Sequence, residues 1–313
     1  MAAFYPYGAV AEHGNLLQLV RELEVALEEG LHERMRVPMR EVVSVDQPRA
    51  AFLSMPAVSE QFGIYINKVA TIFERSAADP LPTVNAVVAA FSARSGELLA
   101  MLDGAAVTNL KCAAVSALVT DRCARTDARV LAIAGTGVQA RQQAVAVCSV
   151  RPIQEVRIWA RSAPRGTAFA AELRASLGEG VRVIACGSLE EAVRTADVIG
   201  TATSSKTPLA SFSDLSPTVH INCMGGHTVD SREVPLELLR TSTLIVEDLA
   251  TAVAEAGVVH ADAIPLGQLV KKERGPLRAG RTIFSSTGHA FLDVITTAHL
   301  LRELERGGAH RKV

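Results

Sequence analysis

The sequence predicts an α/β protein in which a Rossmann-type, doubly wound sheet is inserted between N-terminal strands and a C-terminal helix. Three observations carry that expectation. A strand, a tight glycine turn, a helix and a second strand follow one another from Arg129 to Leu173, strand-like and helix-like segments keep alternating beyond it, and several β-rich runs precede it.

The glycine turn is the most informative stretch. Val130 to Ala134 is a β-rich apolar run; Gly135, Thr136, Gly137, Val138, Gln139 and Ala140 follow, and an alanine- and glutamine-rich helical segment starts at Arg141. Gly135 permits a turn that a side chain would strain, Gly137 lets backbone approach phosphates, and Ala140 is small enough for close helix–strand packing. With the apolar run Val156 to Trp159 at crossover spacing, the glycines stand where a dinucleotide pyrophosphate meets a helix N-terminus. A βα turn with no ligand is the plain alternative.

The end of that second strand bears on which dinucleotide is bound. NAD sites usually place Asp or Glu there, whereas this chain has Ala160, Arg161, Ser162 and then Arg165. Arg161 and Ser162 suit a 2′-phosphate, through a charge-assisted hydrogen bond and a hydroxyl, so the reading favours NADP(H), with NAD(H) the alternative. As ordinary loop residues they would simply be solvated.

At 313 residues the chain is long enough for two domains, and 49% hydrophobic with 21% charged residues is the composition of a soluble globular protein. Only 4% is aromatic, which argues against a base-stacking surface, and a net charge of −1 removes the electrostatic case for nucleic acid or an anionic membrane. Cys112, Cys123, Cys148, Cys186 and Cys223 are odd in number and never form a CxxC pair, so they read as reduced thiols in a cytoplasmic protein without structural metal. The N-terminus lacks a basic region followed by an apolar one, and no run is long and apolar enough to span a membrane.

In chain order, Leu16 to Glu29 reads as an amphipathic helix with Asn15 as N-cap and Gly30 as stop. Strand-like runs follow within Met35 to Asp46, then at Ala51 to Met55, Ile64 to Phe73 and Val84 to Ser92. Arg40 and Lys68 are isolated cations beside or inside these runs. Burying an unpaired charge is costly, so each needs a carboxylate, from the protein or from a ligand, unless it sits at a solvated edge. Thr108 to Arg125 reads as a helix with Lys111 in its first turn, where the ammonium and free N–H groups would suit an anion, an exposed helix lysine being the plain alternative. Further along, Thr201 with Ala202 and Met224 with Gly225 follow the fourth and fifth strands of the doubly wound part, at the strand ends where such sheets bind ligands.

Taken in order, VPMR at Arg40, KVATIF at Lys68, LPTVNAVVAAFSARSGELLAMLDG from Leu81, the helix from Thr108, GTGVQARQQ from Gly135 and FSSTGHAFLDV from Phe284 resemble the ornithine cyclodeaminase/mu-crystallin family over nearly the whole chain. The resemblance implies a homodimer built from a dimerisation and substrate domain (residues 1–113 and 288–313) and a Rossmann dinucleotide domain (residues 114–287). It implies that Arg40, Lys68 and Lys111 hold the α-carboxylate of a small amino or imino acid, and that Lys68 lies beside the reacting carbon. The implied cofactor set is Thr83, Gly135, Thr136, Gly137, Val138, Gln139, Arg161, Ser162, Thr201, Ala202, Met224, Gly225 and Ser286, with no metal.

Two departures shape the expected chemistry. The family usually has Arg where this chain has Lys111, replacing a bidentate grip by a point charge. Cyclodeaminases and the related alanine dehydrogenase carry Asp where this chain has His227, which argues against ornithine cyclodeamination. The expectation is therefore an NAD(P)H-dependent oxidoreductase acting on the C2–N bond of a small amino or imino acid, with Lys68 or His227 managing the nitrogen proton. A cyclodeaminase and a non-catalytic dinucleotide-binding protein are the rivals. Ser54, Tyr65 and His289 are candidates for contacts to the substrate side chain.

Overall fold

The computed structural model describes residues 3–47, 49–75, 79, 81–209, 212, 214–226 and 228–308. In chain order the elements are β1 (Ala3–Tyr5), α1 (Tyr7–His13), α2 (Leu16–Glu28), β2 (Glu41–Asp46), β3 (Arg49–Ser59), β4 (Ile64–Phe73), β5 (Val84–Ser92), β6 (Leu98–Asp103) and α3 (Gly104–Cys123). Then come β7 (Val130–Ala134), α4 (Val138–Val150), β8 (Glu155–Trp159), α5 (Ala163–Leu177), β9 (Arg182–Ala185), α6 (Leu189–Val193), β10 (Val198–Thr201) and β11 (His220–Cys223). The last are α7 (Leu236–Arg240), β12 (Thr243–Val246), α8 (Leu249–Ala256), β13 (Ile264–Pro265), α9 (Leu266–Leu269), β14 (Thr282–Ser285) and α10 (Ala290–Arg306). The chain divides into two compact units, Met1–Lys111 with His289–Val313, and Cys112–Gly288.

The first unit is a six-stranded sheet in the order β1-β6-β5-β4-β3-β2 with α10 packed on β3 and β4. Alternation sets its faces: Ile64, Ile66, Lys68 and Ala70 of β4 are buried, while Tyr65, Asn67, Val69 and Thr71 point the other way. The helix stripe Leu19, Leu23, Ala26 and Leu27 of α2 is buried, and α2 packs against α10. Asn15 caps α2 by accepting the Gln18 N–H at 3.1 Å, and Gly30 has φ +67° just past its end.

Two local readings need correction. β3 does not stop at Met55 but runs through Pro56 to Ser59. Pairing with β2 ends at Glu41 and Ser54, and the backbone of Val58 bonds outward to Arg36, so Pro56, of the same parity, lacks its N–H on a side where β2 offers no partner. The helix predicted from Thr108 starts at Gly104, where Asp103 Oδ1 accepts the Ala106 N–H at 2.9 Å. Glycine is needed there because a Cβ would lie 2.6 Å from that of Ala86. Lys111 is consequently two turns inside α3, away from any free helix-end N–H groups.

The second unit is an eight-stranded, wholly parallel sheet in the order β13-β12-β14-β11-β10-β7-β8-β9. Its strand order reverses direction at β7, flanked by β8 and β10, which is where open sheets of this kind leave a crevice at their C-terminal ends. Every residue of β10, β11 and β14 is buried, as strands covered on both faces must be. No helix among the described residues is long and apolar enough to cross a membrane.

Polar groups inside this sheet are paired in a chain. His220 Nδ1 lies 2.8 Å from Thr282 Oγ1 and its Nε2 3.0 Å from Asn222 Oδ1, while Asn222 Nδ2 donates to Thr120 Oγ1 at 2.9 Å. With Asn222 accepting, Nε2 carries the proton and the ring is satisfied while neutral. Burial pushes the His220 pKa down to about 4. The unfolded chain takes up this proton below about pH 6.5, so the native state loses stability as pH falls from there toward 4. Unfolding free energies from urea titrations at about pH 7.5 and about pH 5 should differ by roughly 2 kcal/mol more in the wild type than in His220→Gln.

Candidate active site

Lys68 sits in the middle of β4 between Met55 of β3 and Val88 of β5, pointing to the buried face of the sheet at 5% exposure. An ammonium there requires an anion, and the anion is Asp293. His289 caps α10, which places Asp293 in its first turn, fully buried. Lys68 Nζ donates to Asp293 Oδ1 and Oδ2, both at 3.0 Å. Lys111, 4% exposed, brings its Nζ to 3.2 Å from Oδ1 and 3.4 Å from Oδ2. Burial pushes the Asp293 carboxyl up, but Lys111 and Lys68 outweigh it and hold the group below the usual carboxylate range.

The other candidates of this unit lie elsewhere in its fold. Arg40 is half-buried in the segment just before β2. Thr83 is exposed ahead of β5, its carbonyl accepting the Phe73 N–H at 2.9 Å. Ser54 and Tyr65 alternate onto the sheet face opposite Lys68, where Ser54 donates to Asn67 and Tyr65 stacks on Phe91, so a shared pocket with Lys68 is ruled out for them. His289 serves as the cap of α10, its Nδ1 accepting the Phe291 N–H.

In the second unit the glycine turn closes β7 against β10. Gly135 has φ +125° and donates its N–H to Trp159 O at 2.9 Å, and a Cβ there would collide with the carbonyl oxygen of Ala202. Thr136 is half-buried, and Gly137 is exposed with nothing within 4 Å of where its Cβ would be. No side chain caps α4, whose first residues are the exposed Val138 and the half-buried Gln139. An open helix N-terminus behind a strained glycine and a bare one fits a dinucleotide pyrophosphate. At the end of β8, Arg161 and Ser162 are exposed, and Ser162 caps α5 by position only, its hydroxyl making no cap bond.

Thr201 is fully buried at the end of β10 and donates its hydroxyl to Glu233 Oε2 at 2.7 Å. Glu233 also accepts Thr203 N–H at 2.6 Å and Gly225 N–H at 2.8 Å, fixing the ends of β10 and β11, and Met224 N–H joins them through Thr201 O at 2.9 Å. Ser286 likewise donates its hydroxyl to Glu247, which accepts Thr287 and Gly288 N–H groups at 3.1 Å. Burial pushes the Glu247 carboxyl up, against the downward pull of those donors. His227 lies outside the described residues.

Sequence reasoning missed Asp293, Glu233 and Glu247. A signal existed for the first: a lone carboxylate in the apolar stretch AFLDVITTA, with unpaired cations elsewhere in the chain. Among the described residues no group of three or more His, Cys, Asp or Glu is placed to hold a metal, and the five cysteines are free thiols.

The fold and these sites define a two-unit α/β protein with a Rossmann-type sheet and a buried cationic cluster. The profile of the ornithine cyclodeaminase/mu-crystallin family matches residues 3–308, and the chain belongs to that family. It is 30% identical to Delta(1)-pyrroline-2-carboxylate reductase from Bacillus cereus, with 95% of each chain covered. It is 33% identical to ketimine reductase mu-crystallin from Rattus norvegicus, over 88% of this chain and 89% of that one. Its fold matches that of Thermococcus litoralis Delta(1)-pyrroline-2-carboxylate reductase, solved with NADH and L-proline, at TM-score 0.92 and 24% identity over 99% of both chains.

The two glycines of the turn should respond differently to a methyl group. Gly135→Ala should cost about 2–4 kcal/mol of stability through collision and positive φ, whereas Gly137→Ala, with open space and negative φ, should stay within about 0.5 kcal/mol of the wild type. Chemical denaturation of both variants checks this.

Proposed function

We propose that the protein is an imine reductase: it reduces the C2–N double bond of a small cyclic α-imino acid, with NADPH preferred over NADH, and works as a homodimer. The observation that carries the reading is the buried cluster of Lys68, Lys111 and Asp293. Its two buried ammonium groups suit a substrate carboxylate, because ion pairs and charge-assisted hydrogen bonds strengthen as the local dielectric falls. The reductase names of the relatives at 30% and 33% identity point to the same substrate class.

In this reading the positive charges of Lys68, Lys111 and Arg40 hold the carboxylate. Lys68 hands a proton to the imine nitrogen, which makes C2 electrophilic, and it is reprotonated from solvent. The bound nicotinamide supplies the hydride that C2 receives. Asp293 stays ionised and keeps the ammonium groups in register. Arg161 and the unengaged Ser162 hydroxyl hold the 2′-phosphate, the basis of the NADPH preference.

Support for the dimer comes from the face of the six-stranded sheet opposite α10. The register puts Phe4, Val43, Phe52, Val69 and Met101 on it, all exposed. An apolar sheet face of this kind is what a second copy would cover.

The deciding experiment is oxidation of NADPH and NADH against five- and six-membered cyclic imines carrying a 2-carboxylate. Turnover is expected; silence with cofactor bound, or ammonia release from a diamino acid without net change in the nicotinamide, would overturn the reading. Lys68→Met should lower kcat/KM by about a hundredfold or more while NADPH affinity, followed by fluorescence, stays within about twofold. Arg161→Ala should raise KM for NADPH by about ten- to a hundredfold and leave that for NADH nearly unchanged, in steady-state assays with each cofactor.

A further inference from the structure

Building on the reductase reading, we propose that Gln143 is a positioning residue: it ties the pyrophosphate-binding helix α4 to the ends of β10 and β11, so that the helix which holds the cofactor's phosphates also seats its nicotinamide half. Among the buried residues of α4, Ala140, Ala144, Ala146 and Val147 are small and apolar, and Gln143, 1% exposed, is the polar one. Its Nε2 donates to Thr201 O at 3.2 Å and, more weakly, to Asn222 O at 3.5 Å. Thr201 closes β10 and Asn222 stands one residue from the end of the neighbouring β11, so one amide spans both strands.

Packing alone does not account for this residue. Gln143 Oε1 is buried with no hydrogen-bond partner among the described residues, a cost that an unbranched apolar side chain of the same length would avoid. The amide lies so close to β10 that a Cβ at Gly200 would sit 2.7 Å from Oε1. What glutamine adds is a pair of aimed N–H groups. They reach strand carbonyls at the C-terminal ends, where open α/β sheets bind their ligands. A dinucleotide straddles such a crevice, with its pyrophosphate at the helix after the first strand and one nucleoside on each side. Arg161 and Ser162 follow β8, on one side of β7, and suit the adenosine half; the nicotinamide half then falls to β10 and β11, on the other side. Gln143 carries α4 to that side by hydrogen bonds.

The test is calorimetric titration of the full-length protein with NADPH and with 2′-phospho-ADP-ribose, which keeps the phosphates and lacks the nicotinamide, and in parallel with NADH and ADP-ribose. The wild type should bind each dinucleotide more tightly than its fragment. Gln143→Met, which keeps the shape and loses both donors, should weaken the dinucleotides about tenfold and the fragments by no more than about twofold. An amide that only supports the fold would lower the melting temperature and leave the ratio of dinucleotide to fragment untouched. That result, or a wild type that binds fragment and dinucleotide alike, would overturn the proposal. If Gln143→Met does not fold, Gln143→Asn decides, because its amide stops one methylene short of the carbonyls. A loss of about threefold or more confined to the dinucleotides is then expected, and equal binding changes for both ligands would refute it. Because titration needs no turnover, an inactive wild type would sink the reductase reading without deciding this one.

Discussion

A single buried carboxylate between two ammonium groups is the interaction on which the first unit depends. Lys68, Lys111 and Asp293 come from a central strand, the second turn of a helix and the first turn of the last helix. Desolvating three charges is expensive, and their attraction repays it only when geometry is good and every oxygen is used. Here both carboxylate oxygens carry both lysines. The closing helix α10 is thereby tied to β4 by charge as well as by packing.

The second unit uses buried carboxylates differently. Glu233 and Glu247 each collect backbone N–H groups and a hydroxyl at the ends of parallel strands, where turning chain leaves donors that neither strand nor helix can satisfy. Gly225 fits that role because a Cβ there would overlap the Glu233 carboxylate. Rigid strand ends matter in an open α/β sheet because its ligands bind at those ends.

Legibility from sequence follows the range of the interaction. The run Ile64 to Phe73, the run Val84 to Ser92 and the cap at Asn15 are written in adjacent residues, and the structure has them. So does the glycine turn after Val130 to Ala134, where conformational demand is local. The start of α3 is hidden because Gly104 reads as a breaker, while its actual role is close approach to Ala86, a residue of another strand. That Lys68 needs a carboxylate is readable from its apolar neighbours. That the carboxylate is Asp293, 225 residues on, is not, because nothing in either segment encodes the other.

The same distinction explains why the cation at position 111 resists interpretation when taken alone. In the first turn of a helix, a lysine borrows the helix's own free N–H groups to hold an anion. Two turns in, those groups are bonded along the helix, and the ammonium acts only through what stands opposite it. What stands opposite is Asp293, not water, which makes Lys111 one of two ammonium groups on a single buried carboxylate. A longer, bidentate guanidinium at this position would claim the carboxylate geometry that Lys68 now shares. The point charge of lysine is therefore a fitting partner for one aspartate already gripped on both oxygens by a second lysine.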